Sequence, residues 1–298
     1  MRLALTGLEG AVTAGEALGP HTTWKIGGPA RWFCRVRSET ALASVLSWAD
    51  SAGEPIALLG MGSNVLVSDA GFPGIVVRLE GEFLRVSVQE ERLAAGGGAA
   101  LGAVCAASAR AGLSGIEALS GIPSSIGAAV RINAGAYGGE IFDVLETASL
   151  VCLSGRARSV RAEDIPHGYR WTQLIETREI VTRAGLRLRR APLQEIEEKT
   201  LAVSEKRRGA LPSEPNAGSV FKNPPGDYAG RLIEACGLKG TRRGGASIST
   251  RHANVIVNEG GATAADVLTL MKLARDAVKE RFGITLAPEV ELLGLIWE

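Results

Sequence analysis

The sequence feature that most constrains the fold is the stretch from Gly112 to Gly139, where more than half of the residues are glycine, alanine or serine. Glycine loses more backbone freedom on folding than any other residue, so this density is unfavourable unless a close approach requires it. A loop-rich surface is the structural alternative, but Leu119, Ile122 and Ile126 are too apolar for a solvated linker. The stretch therefore predicts a backbone surface pressed against a large flat or anionic ligand.

A second glycine loop lies between two short apolar runs, and it reads Gly60, Met61, Gly62, Ser63 and Asn64. A dinucleotide-binding Rossmann loop needs a third glycine and a following helix. Val65 stands at that third position and strand-like residues follow, so the Rossmann interpretation is excluded. Successive backbone amides could still form an anion-binding nest, with side-chain donors from Ser63 and Asn64. A hairpin turn is the competing interpretation.

The stretch 216–224 reads Asn-Ala-Gly-Ser-Val-Phe-Lys-Asn-Pro. Gly218 lets the backbone come close to a ligand, and Ser219 offers a hydroxyl that can attack or donate a proton. Lys222 and Asn223 supply a point charge and a directional amide, which suit an anionic, oxygen-rich substrate. The structural alternative is a glycine-capped turn into a short strand.

Length and charge exclude several classes of protein. With 298 residues the chain predicts two or three domains, and its net charge of +1 gives no basic excess for nucleic-acid binding. The longest apolar runs are too short to cross a membrane, and residues 1–9 lack the pattern of a signal peptide. We therefore expect a cytoplasmic protein with no membrane partner.

The four cysteines are Cys34, Cys105, Cys152 and Cys236. They form no C-x-x-C pair, and no two histidines stand at ligand spacing. We expect small buried hydrophobic residues in a reducing compartment and no metal site.

Two helices are predicted from their capping residues. Ser38 precedes an apolar pattern of helical spacing and Gly53 follows it. Thr263 and Asp266 form a capping box before the last apolar stripe, which Gly283 ends. Further helices are expected near 98–111, 192–208 and 229–236. Strands are expected near 32–36, 56–59, 65–67, 144–153, 157–160, 179–188, 254–257 and 286–293, with an antiparallel sheet within 144–190.

Two short motifs complete the pattern, Gly168-Tyr169-Arg170 and Pro288-Glu289-Val290. With the stretches at 59–64, 112–139 and 218–224, they occur in an order and at separations that closely resemble the UDP-N-acetylenolpyruvoylglucosamine reductase (UDP-N-acetylmuramate dehydrogenase) family. These flavoenzymes act in peptidoglycan precursor synthesis. The resemblance covers the chain from about residue 22 to residue 294.

The resemblance implies an α+β protein with a two-part FAD-binding domain of the vanillyl-alcohol-oxidase type and a smaller α+β substrate-binding domain. The implied divisions are 1–70 and 71–190 for the two FAD-binding parts and 191–298 for the substrate domain. FAD is bound non-covalently, and backbone donors can approach its pyrophosphate closely only where side chains are small. The implied FAD contacts are Gly60, Met61, Gly62, Ser63, Asn64, Gly121, Ile122, Pro123, Ser124, Ser125, Gly127, Ala128, Asn133, Ala134 and Gly135.

The resemblance also implies the reaction and its catalytic residues. NADPH reduces the flavin, and hydride then passes from flavin N5 to the enolpyruvyl ether of UDP-N-acetylglucosamine enolpyruvate, which gives UDP-N-acetylmuramate. Arg170 binds the substrate carboxylate, and Glu289, if protonated, donates a hydrogen bond to the same enolate-like system. Ser219 donates the proton, which a weak acid can do because an enolate carbon is strongly basic and the geometry is fixed.

Other residues match positions that hold the UDP-sugar, namely Lys222, Asn223, His252 and Tyr137. For His252 alone, a surface histidine is an equally good interpretation. No sequence feature establishes an oligomer, so a monomer is the working expectation.

The chain departs from the family pattern at several positions. Ser124 and Ala128 replace glycines, and Thr172 stands where serine is common. The chain passes from Leu188 to the helix at Pro192 without the tyrosine-bearing insertion of the larger class, so Arg207 or Arg208 is a candidate for covering the diphosphate. Another FAD oxidoreductase or a non-catalytic nucleotide-binding module is the alternative, although neither gives the catalytic residues a joint purpose.

Overall fold

The chain passes repeatedly between two compact units in the structure, a computed structural model that describes residues 11–297. The first unit contains residues 11–14, Trp32–Met61 and Gly74–Lys206. The second contains Gly15–Arg31, Gly62–Pro73 and residues 207–297. The signal-peptide expectation for residues 1–9 lies outside the described residues.

The first unit begins with a small mixed sheet and one helix. Its strands are, in sheet order, Val12–Ala14, Ala30–Val36, Phe72–Leu79 and Ile56–Leu58. The helix Glu39–Ala52 starts where Ser38 Oγ accepts a hydrogen bond from the Ala41 amide (3.2 Å) and ends at left-handed Gly53 (φ 62°). Both predicted caps are thus confirmed.

The main sheet of the first unit is antiparallel and five-stranded. Its strands are, in order, Ala157–Arg161, Leu145–Val151, Ile180–Arg187, Arg92–Gly96 and Val86–Gln89. Leu93, Leu150 and Leu186 are fully buried in one core with residues of the helices Leu101–Arg110 and Ile126–Arg131. The antiparallel sheet predicted within 144–190 is confirmed, since Leu145–Val151 pairs antiparallel with both Ala157–Arg161 and Ile180–Arg187. An alternating pattern of this kind is typical of antiparallel strands with one buried face.

The second unit combines a four-stranded antiparallel sheet with a long helix. The strands are, in order, Asn216–Ser219, Val255–Asn258, Ala246–Ile248 and Arg242–Arg243. Thr263 and Asp266 form the predicted capping box of the helix Ala264–Phe282. This core includes N-terminal residues, since buried Trp24 donates its indole N–H to the Ile256 carbonyl (2.7 Å).

Shorter elements complete the described chain. The helices Leu193–Ala210 and Ala229–Ala235 occur where predicted, and Leu174–Thr177 forms one further turn. Paired short strands are Gly135–Ala136 with Gly139–Glu140, His167–Gly168 with Trp171–Thr172, and Leu113–Ser114 with Arg189–Arg190. Single 3-10 turns are Gly19–His21, Gly81–Leu84, Glu117–Leu119, Ile141–Asp143 and Ala162–Asp164. Among residues 11–297, no helix has both the length and the apolar character needed to cross a bilayer.

The structure corrects one local interpretation and narrows another. The hairpin interpretation of residues 60–64 is wrong, because Ile56–Leu58 pairs with Phe72–Leu79 while Val65–Val67 pairs in parallel with Glu291–Leu293. The strand expected over 286–293 is confined to its last three residues. The three-part division at 70/71 and 190/191 stays a prediction, and the two compact units differ from it by joining two N-terminal segments to the C-terminal region.

Candidate active site

The loop of residues 60–64 owes part of its glycine content to backbone packing. A Cβ at Gly62 (φ 65°) would lie 2.1 Å from the His21 carbonyl oxygen, and the Gly62 carbonyl accepts the Thr23 amide (2.9 Å). Asn64 Nδ2 donates to the Glu289 carbonyl (3.0 Å), and the Asn64 carbonyl accepts the Glu291 amide (3.0 Å). Asn64 therefore supports the segment that carries Glu289.

The stretch 121–128 forms a turn and the start of a short helix, in which some amides are already used. Gly127 donates to the Gly97 carbonyl (2.8 Å) and Ile126 donates to Ala99 (2.8 Å). A Cβ at Gly127 would lie 2.8 Å from the Gly97 oxygen, so glycine is needed there for packing. Ser125 Oγ accepts the Ala128 amide (3.4 Å). The amides of Ile126 and Gly127 are therefore not available to the pyrophosphate that the sequence pattern predicted for this stretch.

The remaining polar groups of this region fit a flavin nucleotide. Ser120 Oγ and Asn133 Oδ1 are buried and have no hydrogen-bond partner within residues 11–297. Such atoms cost free energy unless a ligand or water satisfies them. A Cβ at Gly60 would lie 2.9 Å from Ser125 Oγ, so the backbone of the first loop approaches the helix start closely. The small residues and the unsatisfied polar oxygens together suit FAD.

Arg170 is held by main-chain carbonyls of the glycine-rich stretch. Its Nη2 donates to the Gly135 carbonyl, and its Nη1 lies 3.5 Å from the Asn133 carbonyl. Fully buried Asn133 donates its Nδ2 to Glu140 Oε2 (2.7 Å) and to the Gly168 carbonyl (3.1 Å). Asn133 and Gly135, predicted as FAD contacts, therefore also form a cradle for the Arg170 guanidinium. The sequence pattern did not identify Glu140, the acceptor beneath this cradle.

Ser219 and Glu289 lie on adjacent segments of the second unit. Gly218 is left-handed (φ 71°) at a register shift in the strand Asn216–Ser219, a bulge that re-aims the next side chain. The Glu289 amide donates to the Val220 carbonyl (2.9 Å), and the Lys222 main-chain amide donates to the Ala287 carbonyl (2.9 Å). Both catalytic candidates are half-buried.

The other substrate candidates differ in their surroundings. Asn223 Oδ1 accepts the Ala229 amide (3.0 Å) at the start of the helix Ala229–Ala235, so this side chain caps a helix. Tyr137 is 45% exposed and left-handed (φ 51°). Burial, and secondly the charge of Lys239, lowers the pKa of His252. A neutral ring suits the observed contact, in which His252 Nδ1 accepts the amide of Asn254 (3.2 Å).

The candidate residues thus form two groups, one in each unit. Arg170, Asn133, Gly135 and Tyr137 belong to the first unit with residues 121–128, whereas Ser219, Lys222, Asn223, His252 and Glu289 belong to the second. Asn254 is a further buried residue of the second group that the sequence pattern did not identify. One signal was available, since it is a lone amide entering the apolar run Val255–Val257. Within residues 11–297, no cluster of His, Cys, Asp or Glu could hold a metal ion.

Two family models match this chain, one in its N-terminal part and one in its C-terminal region. Residues 30–161 match the FAD binding domain model. Residues 210–293 match the model of the UDP-N-acetylenolpyruvoylglucosamine reductase C-terminal domain.

Individual relatives match over nearly their whole length. UDP-N-acetylenolpyruvoylglucosamine reductase 2 of Symbiobacterium thermophilum is 43% identical over 286 residues, which is 96% of this chain and 93% of the relative. The reductase of Heliobacterium modesticaldum is 45% identical over 94% of this chain and 90% of its own. The crystal structure of the Thermus caldophilus reductase aligns with a TM-score of 0.82 at 39% identity, covering 94% of this chain and 97% of that one. The predicted fold class, α+β with an FAD-binding domain followed by a smaller C-terminal domain, is confirmed.

Proposed function

Because the chain belongs to the UDP-N-acetylenolpyruvoylglucosamine reductase family, we propose that it uses NADPH and FAD to reduce the enolpyruvyl ether of UDP-N-acetylglucosamine enolpyruvate to UDP-N-acetylmuramate. The observation that carries the proposal lies in the segment matching the reductase C-terminal domain. There, the Glu289 amide donates to the Val220 carbonyl, so the residues that carry a hydroxyl and a carboxyl group lie on adjacent segments. The reaction needs a proton donor and a group that stabilises negative charge.

The residues that would hold FAD lie in the glycine-rich loops, namely Gly60, Met61, Gly62, Ser63, Asn64, Gly121, Ile122, Pro123, Ser124, Ser125, Gly127, Ala128, Asn133, Ala134 and Gly135. Gly127 and Asn64 contribute through loop geometry, since the Gly127 amide and the Asn64 side chain bond within the protein. Bound there and reduced by NADPH, FAD would supply the hydride for the enolpyruvyl double bond.

Ser219 donates the proton that completes reduction. The bulge at Gly218 fixes the direction of its side chain, and the backbone on both sides is hydrogen-bonded. Serine is a weak acid, so the transfer depends on a basic carbon held close to Oγ. The proton must come back to Oγ from water before the next turnover.

Arg170 and Glu289 stabilise the negative charge that develops on the substrate carboxylate. The cradle holds the Arg170 guanidinium through carbonyl oxygens, whose partial charges orient its planar fork without neutralising it. Glu289 is placed by two main-chain bonds, its amide to Val220 and its carbonyl to Asn64 Nδ2. Glu289 acts in this way in its protonated form, and a donor of this kind stabilises a developing oxyanion more than the ground state.

Lys222, Asn223, Tyr137 and His252 bind the UDP-sugar in this proposal. Lys222 follows Ser219 on the same segment, which supports a role beside the reacting group. Asn223 follows Lys222 directly, and the bond from the Ala229 amide to its Oδ1 orients its side chain. We place the enzyme in the cytoplasm as a monomer, and the four free cysteines support a reducing compartment.

The decisive experiment is anaerobic. The purified protein is expected to show a flavin absorption band that bleaches with NADPH and returns on adding UDP-N-acetylglucosamine enolpyruvate. Ser219→Ala should bleach normally and recover far more slowly. A band that stays bleached in the wild type would redirect the proposal to another FAD oxidoreductase, and a protein that takes up no FAD would refute it.

A further inference from the structure

We propose that Asn254 is a positioning residue that sets the Ser219 hydroxyl relative to Glu289. The inference rests on the proposed function, in which Ser219 donates the proton. Asn254 is 2% exposed and lies at the entry to the strand Val255–Asn258.

The regular pairing between the strands Asn216–Ser219 and Val255–Asn258 ends at Ser219, so it does not hold the next two residues, Val220 and Phe221. The last backbone pair is Ser219 with Val255. Phe221 is fully buried, and buried main-chain donors and acceptors need partners. Beyond Ser219, Asn254 supplies those partners.

Asn254 makes three hydrogen bonds to two consecutive residues. Its carbonyl accepts the Val220 amide (2.9 Å), its Oδ1 accepts the Phe221 amide (3.0 Å), and its Nδ2 donates to the Phe221 carbonyl (2.8 Å). The side-chain amide thus replaces a strand backbone, using one donor and one acceptor in the pattern of a sheet ladder. His252 Nδ1 in turn accepts the Asn254 amide (3.2 Å).

The opposite edge of the same segment carries Glu289. The Val220 carbonyl accepts the Glu289 amide (2.9 Å), and the Lys222 amide donates to Ala287 (2.9 Å). Val220–Lys222 is therefore held between Asn254 on one side and residues 287–290 on the other. Loss of the Asn254 amide releases one edge, so the separation between the hydroxyl and the carboxyl group is no longer fixed.

The test uses two asparagines at opposite ends of one strand, Asn254 before Val255 and Asn258 at its last position. Asn258 is also buried, donating Nδ2 to the Trp24 carbonyl (2.9 Å) and accepting the Gly260 and Ala262 amides. Asn254→Asp and Asn258→Asp each remove one buried N–H donor and keep the acceptor. The two variants therefore carry a matched change in chemistry, and they differ in which segment loses its partner.

Both half-reactions are measured by rapid mixing on FAD-loaded protein. For Asn254→Asp we expect flavin reduction by NADPH at the wild-type rate and reoxidation by UDP-N-acetylglucosamine enolpyruvate roughly ten- to a hundredfold slower, since a displacement of about 1 Å can cost that much. Asn258→Asp should change neither rate, although it lowers the stability of the protein. Equal reoxidation rates in the two variants would overturn the inference.

A second readout separates positioning from general structural damage. A protonated carboxyl group has one O–H donor and one acceptor, the same pattern as the amide, and burial favours the protonated form. The rate of flavin reoxidation in the Asn254→Asp variant, divided by the wild-type rate at the same pH, should therefore rise as pH falls from 8 to 5.5. A constant ratio would refute the role.

The controls distinguish this failure from failure of the proposed function. If the wild type is not reoxidised by the substrate, the proposed function fails and takes the inference with it. If Ser219→Ala is reoxidised at the normal rate, the proton-donor role fails and Asn254 has nothing to position. If both hold and the Asn254 variant matches Asn258→Asp, only the positioning role is wrong.

Discussion

Arg170 and Arg178 share an unusual backbone conformation, with φ of 52° and 55°, yet only Arg170 lies in the carbonyl cradle of Asn133 and Gly135. A lysine ammonium is a point charge and cannot reproduce the planar fork of a guanidinium. We expect Arg170→Lys to slow flavin reoxidation by substrate roughly a hundredfold, the loss typical of a misplaced oxyanion donor. Arg178→Lys is the matched control and should keep the wild-type rate. Rapid mixing measures both, and equal rates would mean that Arg170 does not bind the carboxylate.

The lowered pKa of His252 predicts how the free energy of unfolding depends on pH. Its pKa lies below the ordinary value of 6.5, first because of burial and then because of Lys239. The unfolded chain therefore binds more protons than the folded protein as pH falls below about 6.5, so the free energy of unfolding must fall there. We expect His252→Asn to weaken this dependence. Urea unfolding at pH 7.5, 6.5 and 5.5 measures the free energy of unfolding at each pH. The same change of that free energy with pH in variant and wild type would contradict the prediction.

At the scale of elements, the short helix Ile126–Arg131 packs with its backbone directly against the main sheet. A Cβ at Gly127 would lie 2.8 Å from the Gly97 oxygen and 2.9 Å from the Val181 oxygen, whereas a Cβ at Gly102 in the helix Leu101–Arg110 meets no atom within 4 Å. Gly127→Ala should therefore cost about 1–3 kcal/mol of unfolding free energy through overpacking, and weaken FAD retention. Gly102→Ala should gain about 0.5–1 kcal/mol. Urea unfolding of the two variants decides, and a neutral Gly127→Ala would show that the helix can shift freely.

Sequence patterns predicted those elements whose causes are local. The caps Ser38 and Thr263 determine helix starts within a few residues, and both were found as expected. The pairing of Val65–Val67 with Glu291–Leu293 depends on residues at the other end of the chain, so the hairpin interpretation failed. Gly127 stays a predicted FAD contact, although its packing against Gly97 and Val181 also requires glycine, so the sequence pattern has two causes at this position. The role of Asn254 was equally hidden, since its partners become visible only when the chain is folded.

At the scale of the whole molecule, the C-terminal region shares its core with two N-terminal segments. Fully buried Trp24 bonds the Ile256 carbonyl (2.7 Å), and Asp69 Oδ1 accepts the Ala264 amide (2.8 Å) at the start of the long helix. The strand Glu291–Leu293 pairs only with Val65–Val67 within the described residues. A fragment of residues 191–298 lacks all of these contacts.

We therefore expect this fragment not to fold cooperatively by itself, although it contains the whole segment matched by the reductase C-terminal model. Loss of these contacts would expose apolar core residues to water and leave one strand without a neighbour. Both changes destabilise the folded state of the fragment. Circular dichroism during urea titration and the dispersion of amide resonances measure folding, with full-length protein as the control. A sharp two-state transition in the fragment would show that residues 191–298 are an independent domain. It would also mean that the N-terminal segments add stability without being needed for the fold.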